Sequence, residues 1–405
     1  MRGLSGACHL SATTLKRSVM DNLLKKRDAY EPFQIYLYEV SYYSGKMEMY
    51  LRYKEIPFQR IEQQVVDNYD VLYKNTGIMK VPVISTATDE WLKDTTPMID
   101  WFERLYPEST VMPEDPALFF ISKLVEDYAD EWLWRPAMYY RWWYDFQVVG
   151  PWLARDTLQK IPRPFWEKAK NIAQRPTSLF MEQDGVTEET RPHLEETYLK
   201  NLQSLEQILS ESPFLLGERP TLVDFGYMGP MFRHFSIDPT PARIMREKAP
   251  KVFAWVARLW ASKASEIDQS SLVRDFSNPG WCFILEDVCR IYLPSLSKNA
   301  IAWKDNRKLF DYETNGIHYK NLPVIQYRVW CREILQNHYT SLSDRDKDRV
   351  QEMLNPAGGI TSLFEGGTIE SGLIDHFVFP LKKKYREHPP DAKRKIKKEG
   401  TPWDM

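Results

Sequence analysis

The sequence predicts an α/β domain followed by an all-α helical bundle, with a further α-helical extension beyond it. Three observations predict this. Residues 33–105 alternate short apolar runs with helical patterns. Past Pro107, Pro113 and Pro116 the apolar residues fall only at helical spacing. Between them lies Lys80-Val81-Pro82-Val83, an apolar run that holds a proline, followed by Asp94-Thr95 at the head of a helical pattern.

Taken in order, Phe33–Tyr38 reads as a first strand, Ser41–Lys46 as the loop into a first helix, and Ile56–Ile61 as a second strand. Proline has no N–H and fits poorly inside a central strand, so Pro82 reads as a cis peptide at the start of a strand. That arrangement leaves a backbone edge able to bond a peptide-like ligand. Asp94-Thr95 before Met98-Ile99-Asp100-Trp101-Phe102 reads as a helix start, whose free N–H groups can hold a carboxylate. Leu118, Ile121, Leu124, Val125, Tyr128 and Trp132 then mark a long helix, Leu194 to Leu209 a second, and Val252 to Trp260 a third. Thr221 and Asp224 have the spacing of a capping box. Residues 150–192, rich in proline and charge, are expected to form an elaborated, partly mobile insertion. Farther on, Val324 to Leu335 suggest an amphipathic helix, and Ser343 with Asp344 and Asp346 suggests the start of another, ended by Gly358-Gly359.

This order of motifs resembles the glutathione transferase superfamily over residues 33–262. The resemblance implies a thioredoxin-like glutathione-binding domain at 33–108 and a helical domain at 117–265. A helical extension at 266–380 lies outside the minimal pattern, although some bacterial members have a long extra C-terminal region. The resemblance also implies glutathione as co-substrate, a hydrophobic electrophile as second substrate, and a homodimer built through both domains. Ser41 matches the position of the catalytic residue in serine-type and cysteine-type members, so it would hydrogen-bond the glutathione sulfur, with Ser44 as the alternative donor. Serine is equally favoured as a helix cap with no catalysis at all. Val81 beside Pro82 would pair with the cysteinyl backbone. Asp94 would meet the γ-glutamyl ammonium and Thr95 its carboxylate, where the family more often has Glu-Ser. Lys46 and Lys80 would face the glycyl carboxylate. Tyr42, Tyr43, Trp132 and Tyr139 would line the second-substrate pocket, although core packing explains such aromatics equally well. The alternative reading is a non-catalytic member of the same fold acting in assembly or ligand binding.

A thiol has a pKa of about 8.5, so glutathione chemistry at neutral pH needs a protein that stabilises the anion with a hydroxyl and a helix N-terminus. With 405 residues the chain is long enough for two or three domains. A net charge of −2 gives no reason to expect nucleic acid. Cys8, Cys282, Cys289 and Cys331 have neither disulfide-framework nor metal-site spacing, so no metal is expected and a reducing compartment is inferred. No apolar stretch is long enough to span a bilayer. Residues 1–32 read as a disordered leader on a cytoplasmic protein. Residues 1–20 contain Arg2, Lys16 and Arg17 and no acid, which also fits a mitochondrial presequence. The lysine-rich end, 381–405, reads as a solvated basic tail.

Overall fold

The computed structural model describes residues 22–174, 181, 184–271 and 273–381. The leader's presequence-like part and nearly all of the basic tail lie outside the described residues. The disordered leader expected over 1–32 needs correction in its second part. Residues 22–30 form helix α1, which Arg27 ties to the first domain through the Leu105 carbonyl at 2.8 Å and Glu108 at 2.6 Å.

The first domain is a four-stranded mixed sheet in the order β2-β1-β3-β4. Strands β1 (Phe33–Leu37) and β2 (Phe58–Glu62) run parallel; β3 (Val83–Ser85) and β4 (Trp91–Lys93) follow antiparallel. Helix α2 (Tyr42–Tyr53) follows β1, and α3 (Thr95–Leu105) follows β4. The Val81-Pro82 peptide is cis, immediately before β3. Ile84 and Leu92 face the main core, while Val83 and Trp91 face a smaller cluster on the other side of the sheet. This is the period-2 alternation of a sheet covered on both faces.

The second domain is helical. Helix α4 (Pro116–Glu131) has Pro116 in its first turn, where no N–H is needed, and Asp115 accepting from Ala117 and Leu118. Helix α5 (Trp134–Tyr139) follows a turn at 132–133, so Trp132, expected on the long helix, lies just past its end. Helices α6 (Phe146–Thr157), α7 (Phe165–Gln174), α8 (Arg191–Ile208), α9 (Leu222–Pro230), α10 (Pro239–Lys248) and α11 (Pro250–Ala261) complete the domain. Part of the insertion expected at 150–192 lies outside the described residues. Helix α9 is buried along its whole length, because it packs on α4 on one side and α2 on the other. Its N-terminus closes the expected capping box. Asp224 accepts from the backbone N–H groups of Thr221 (2.9 Å) and Leu215 (2.9 Å), from the Thr221 hydroxyl (3.1 Å) and from Trp255 Nε1 (3.0 Å).

The extension holds α12 (Trp281–Asp287), α13 (Leu293–Lys304), α14 (Gln326–Ser341) and α15 (Asp344–Leu354). Ser343 caps α15 by accepting from Asp346, and Gly358 and Gly359 take positive φ just past it. The extension is not wholly helical. Strands β5 (Leu309–Thr314) and β6 (Ile317–Pro323) form a hairpin around Asn315-Gly316, both at positive φ. Asn-Gly between alternating runs is the strongest short-range hairpin signal. Helices α14 and α15 pack on α4, so the extension is built onto the second domain.

Replacing Asp224 with Ala would leave four buried donors unmatched. The expected loss is about 3 kcal/mol or more in a urea unfolding series. A loss below about 1 kcal/mol would contradict the role of this box.

Candidate functional site

Strand register determines which residues share one end of the sheet. Tyr36 pairs with Val83, and Val83 pairs with Lys93. The chain past β1, the chain before β3 and the chain past β4 therefore converge, bringing Ser41, Val81, Asp94 and Thr95 to one edge.

Ser41 is the N-cap of α2, in extended backbone, with its hydroxyl accepting weakly from Ser44 N–H at 3.4 Å. It is partly exposed and lies at the positive end of that helix. Val81 precedes the sheet ladder, and its backbone groups have no hydrogen bond among the described residues. Asp94 occupies the N-cap position of α3 at φ 71°, ψ 125°, and its side chain does not cap the helix. A non-glycine residue held there costs on the order of 1–3 kcal/mol and persists only where its surroundings enforce it. Burial pushes the Asp94 carboxyl up to about 6, against a hydrogen bond from the Tyr327 hydroxyl that pulls it down. Thr95 is buried in the first turn. Lys80 is exposed beside them.

Other expected site residues are placed elsewhere. The Lys46 side chain is fully buried, with its ammonium 2.6 Å from Glu126 and also bonded to Asp130 on α4. It is therefore corrected from a ligand for the glycyl carboxylate to a bond between the domains. Burial opposes all three charges. Asp130 and Glu126 outweigh it at Lys46 and raise the ammonium's pKa; Lys46 and Lys123 outweigh it at Glu126, whose carboxyl lies below its ordinary range. At Asp130 burial wins, and the carboxyl lies well above its ordinary range. Ser44 is also fully buried, its hydroxyl without a hydrogen-bond partner among the described residues, which is a correction to its reading as the alternative donor.

Three of the four pocket aromatics are buried among the described residues. Trp132 is fully buried, 5.8 Å from the Tyr319 ring of the hairpin, and Arg135 stacks on it at 4.4 Å. Tyr42 is buried with its hydroxyl on the Ala129 carbonyl at 2.5 Å. Tyr139 is buried and donates to Glu195 at 2.7 Å. Tyr43 alone remains partly exposed, stacked on Trp134 at 5.8 Å with its hydroxyl on the Asp130 carbonyl. The hairpin packs against Trp132, the helical domain against Tyr42, and Tyr139 is packed within the helical domain itself.

Two residues not singled out for these roles, Arg141 and Arg233, set the geometry. Arg141 is buried and makes a two-point bond to Asp238 at 2.8 Å. It also reaches the Arg233 carbonyl, His234 Nε2 and the Val40 carbonyl, each at 2.8 Å. This fork holds the residue before Ser41 against the helical domain. Arg233 reaches Glu48 of α2 at 2.5 Å and the Tyr38 carbonyl at 3.2 Å. Sequence spacing carries no signal for these pairs, since each joins segments far apart in the chain.

Lys46→Met would remove the buried cation bonded to both Glu126 and Asp130. The expected loss is about 3–5 kcal/mol in chemical denaturation. A loss under about 1 kcal/mol would return Lys46 to the list of candidate ligands. Asp94→Asn removes a carboxylate that burial disfavours. A carboxyl held above its unfolded value weakens the fold as pH rises through about 4 to 6. The Asn variant should therefore gain about 1–2 kcal/mol above pH 7, the full shift being reduced because Asp94 keeps some contact with water, and gain little at pH 4. Thermal melts at the two pH values check this.

Residues 35–110 match the family model for the glutathione S-transferase N-terminal domain, and residues 169–263 match that for the C-terminal domain. Among solved structures, the chain is similar to a glutathione S-transferase from Rhodospirillum rubrum F11, at 14% identity over 62% of this chain and 91% of that one, with TM-score 0.37. The beta-etherase LigF from Sphingobium sp. strain SYK-6 is 17% identical over 58% of this chain and 97% of its own, with TM-score 0.42. Rice GST1, in complex with glutathione, is 17% identical over 59% and 90%, with TM-score 0.35. No curated protein matches the chain. Both domain models are matched in order along one chain, and residues 35–110 and 169–263 carry the two domains of the glutathione transferase superfamily.

Proposed function

We propose that the protein binds glutathione at the sheet edge formed by Ser41, Val81, Asp94 and Thr95 and transfers its thiolate to an electrophilic small molecule. The observation that carries this reading is Asp94, held at φ 71° with a carboxylate that does not cap its own helix. Strain of this kind gathers at ligand clamps. The free carboxylate suits the γ-glutamyl ammonium. Thr95 and the N–H groups opening α3 suit the neighbouring carboxylate. Val81 has backbone groups to pair with the cysteinyl residue as an added strand would. The thiol then lies toward Ser41, whose hydroxyl and helix N-terminus stabilise an anion.

In the transfer step the glutathione sulfur forms a bond to an electrophilic carbon. The leaving group, where there is one, departs with the bonding pair. The protein's contribution is to hold the thiolate and to place the partners.

The second reading, a non-catalytic binding or assembly protein, is favoured by the burial of Tyr42, Trp132 and Tyr139, which leaves no open aromatic pocket among those residues.

Titration calorimetry with glutathione, using Asp94→Ala as control, separates the readings. Binding that the substitution abolishes supports the site; no binding at millimolar glutathione moves the protein to the second reading. Given binding, Ser41→Ala should raise the pKa of the bound thiol by about one unit toward ~8.5 and lower turnover roughly tenfold or more. Affinity should stay within about twofold. Thiolate absorbance against pH reads the shift, and an unchanged thiol pKa would leave Ser41 as a helix cap only.

A further inference from the structure

The two most exposed large apolar side chains among the described residues are neighbours in sequence. Phe165 is 51% exposed and Trp166 64% exposed, where α7 starts at the tip of the hairpin that it forms with α6. We infer that this tip docks on an anionic lipid surface, with the two rings among the headgroups and the neighbouring basic side chains on the lipid phosphates.

The tip is held in place by its own bonds and by the first domain. Helices α6 and α7 pack along Gly150, where an added Cβ would lie 3.0 Å from the Ala169 carbonyl and 3.1 Å from Ala173 Cβ. Residues 158–164 close the hairpin. Lys168 is buried beneath this turn, and its ammonium donates to the Leu158 carbonyl at 2.8 Å. The Arg163 N–H reaches the Ile161 carbonyl at 2.8 Å. Pro162 and Pro164 fix φ on either side of Arg163. Gln64 donates to the Asp156 carbonyl at 2.8 Å and accepts from the Gln159 N–H at 2.7 Å. Lys160 pairs with Asp67 at 2.6 Å. Val66, 49% exposed, lies between these two anchors and adds a third apolar side chain to the same end of the molecule. A rigid aromatic tip loses little conformational freedom when it docks. Exposed apolar surface gathered in one place marks an interaction site, whereas single exposed residues do not.

Charge selects the partner. Within residues 155–170 every exposed charged side chain is basic: Arg155, Lys160, Arg163 and Lys170. The two acids of that stretch are less open. Asp156 accepts from the Val40 N–H at 3.2 Å, and Glu167 is half-buried. Asp67 offsets Lys160, which leaves Arg155, Arg163 and Lys170 exceeding the half-buried acids. Tryptophan and phenylalanine beside arginine and lysine are the composition of a bilayer interface. There the rings sit at headgroup depth while the cationic heads reach lipid phosphates. No helix among the described residues is long and apolar enough to cross a membrane, so the contact inferred for this tip is a peripheral one. A convex tip suits a deformable headgroup layer, whereas a second copy of the chain would need a concave face to receive it.

The test is cosedimentation of the full chain with phosphatidylcholine vesicles that do or do not contain about 30 mol % phosphatidylserine. The wild type should bind the anionic vesicles and bind the neutral ones at least about fivefold more weakly. Replacing both rings, Phe165→Ser with Trp166→Ser, should lower the partition coefficient on anionic vesicles roughly tenfold or more. Arg163→Ala should lower it about fivefold. Leu309→Ser, at a residue 50% exposed on the hairpin of the extension, should follow the wild type. Thermal melts of all variants should match the wild type, because the replaced side chains are exposed. Full binding by the double-ring variant would assign the affinity to another surface, the lysine-rich C-terminal end foremost, and overturn the inference. No binding by the wild type would overturn it as well. A wild-type dimer that the double-ring variant breaks, seen by analytical ultracentrifugation without vesicle binding, would give this tip to a second copy and overturn it too.

Discussion

The Lys46 ammonium, buried between Glu126 and Asp130, is the constraint on which the rest of the site depends. Taking these charges out of water is tolerable only while the set stays together and close to neutral. Helix α2 therefore cannot leave α4 without exposing an incomplete cluster on each side. Glu48, on the same helix, is clamped in the same way by Arg233. The helix that begins at Ser41 is thus held by a cation and an anion two positions apart. Arg141 pins the residue before it. Ser41 inherits its position from bonds in which it takes no part.

The sheet edge shows the opposite economy. Asp94 is strained, its carboxyl is pushed up by burial, and its side chain does not stabilise α3. Inside a core such a residue would be a defect. At an edge beside unpaired Val81 backbone and the start of α3, it is a charge kept available for a ligand. The extension reinforces this edge. It reaches β4 through Leu381, while its hairpin packs against Trp132.

Much of the fold was legible in the sequence because its determinants are local. The strand and helix patterns, the cis peptide before Val83, the Thr221–Asp224 box and the Ser343 cap each depend on residues within a few positions of one another. The approach of Ser41, Val81 and Asp94 followed from the order of those elements. The fate of Lys46 was not legible, because a lysine near a helix start reads alike whether it faces solvent or two carboxylates eighty residues on. Trp132 and Tyr139 suggested a pocket because aromatic content records area to be buried and not what buries it. The hairpin at Asn315-Gly316 is the exception: its turn signal is local, and a helical expectation for the whole segment passed over it.

The most direct measurement is a crystal structure of the protein soaked with glutathione. The account predicts the γ-glutamyl ammonium on Asp94, its carboxylate at Thr95, the cysteinyl backbone paired with Val81, and the sulfur within hydrogen-bond reach of the Ser41 hydroxyl, with Lys46 still enclosed between Glu126 and Asp130. Glutathione bound elsewhere, or density showing Asp94 and Val81 unengaged at full occupancy, would contradict it.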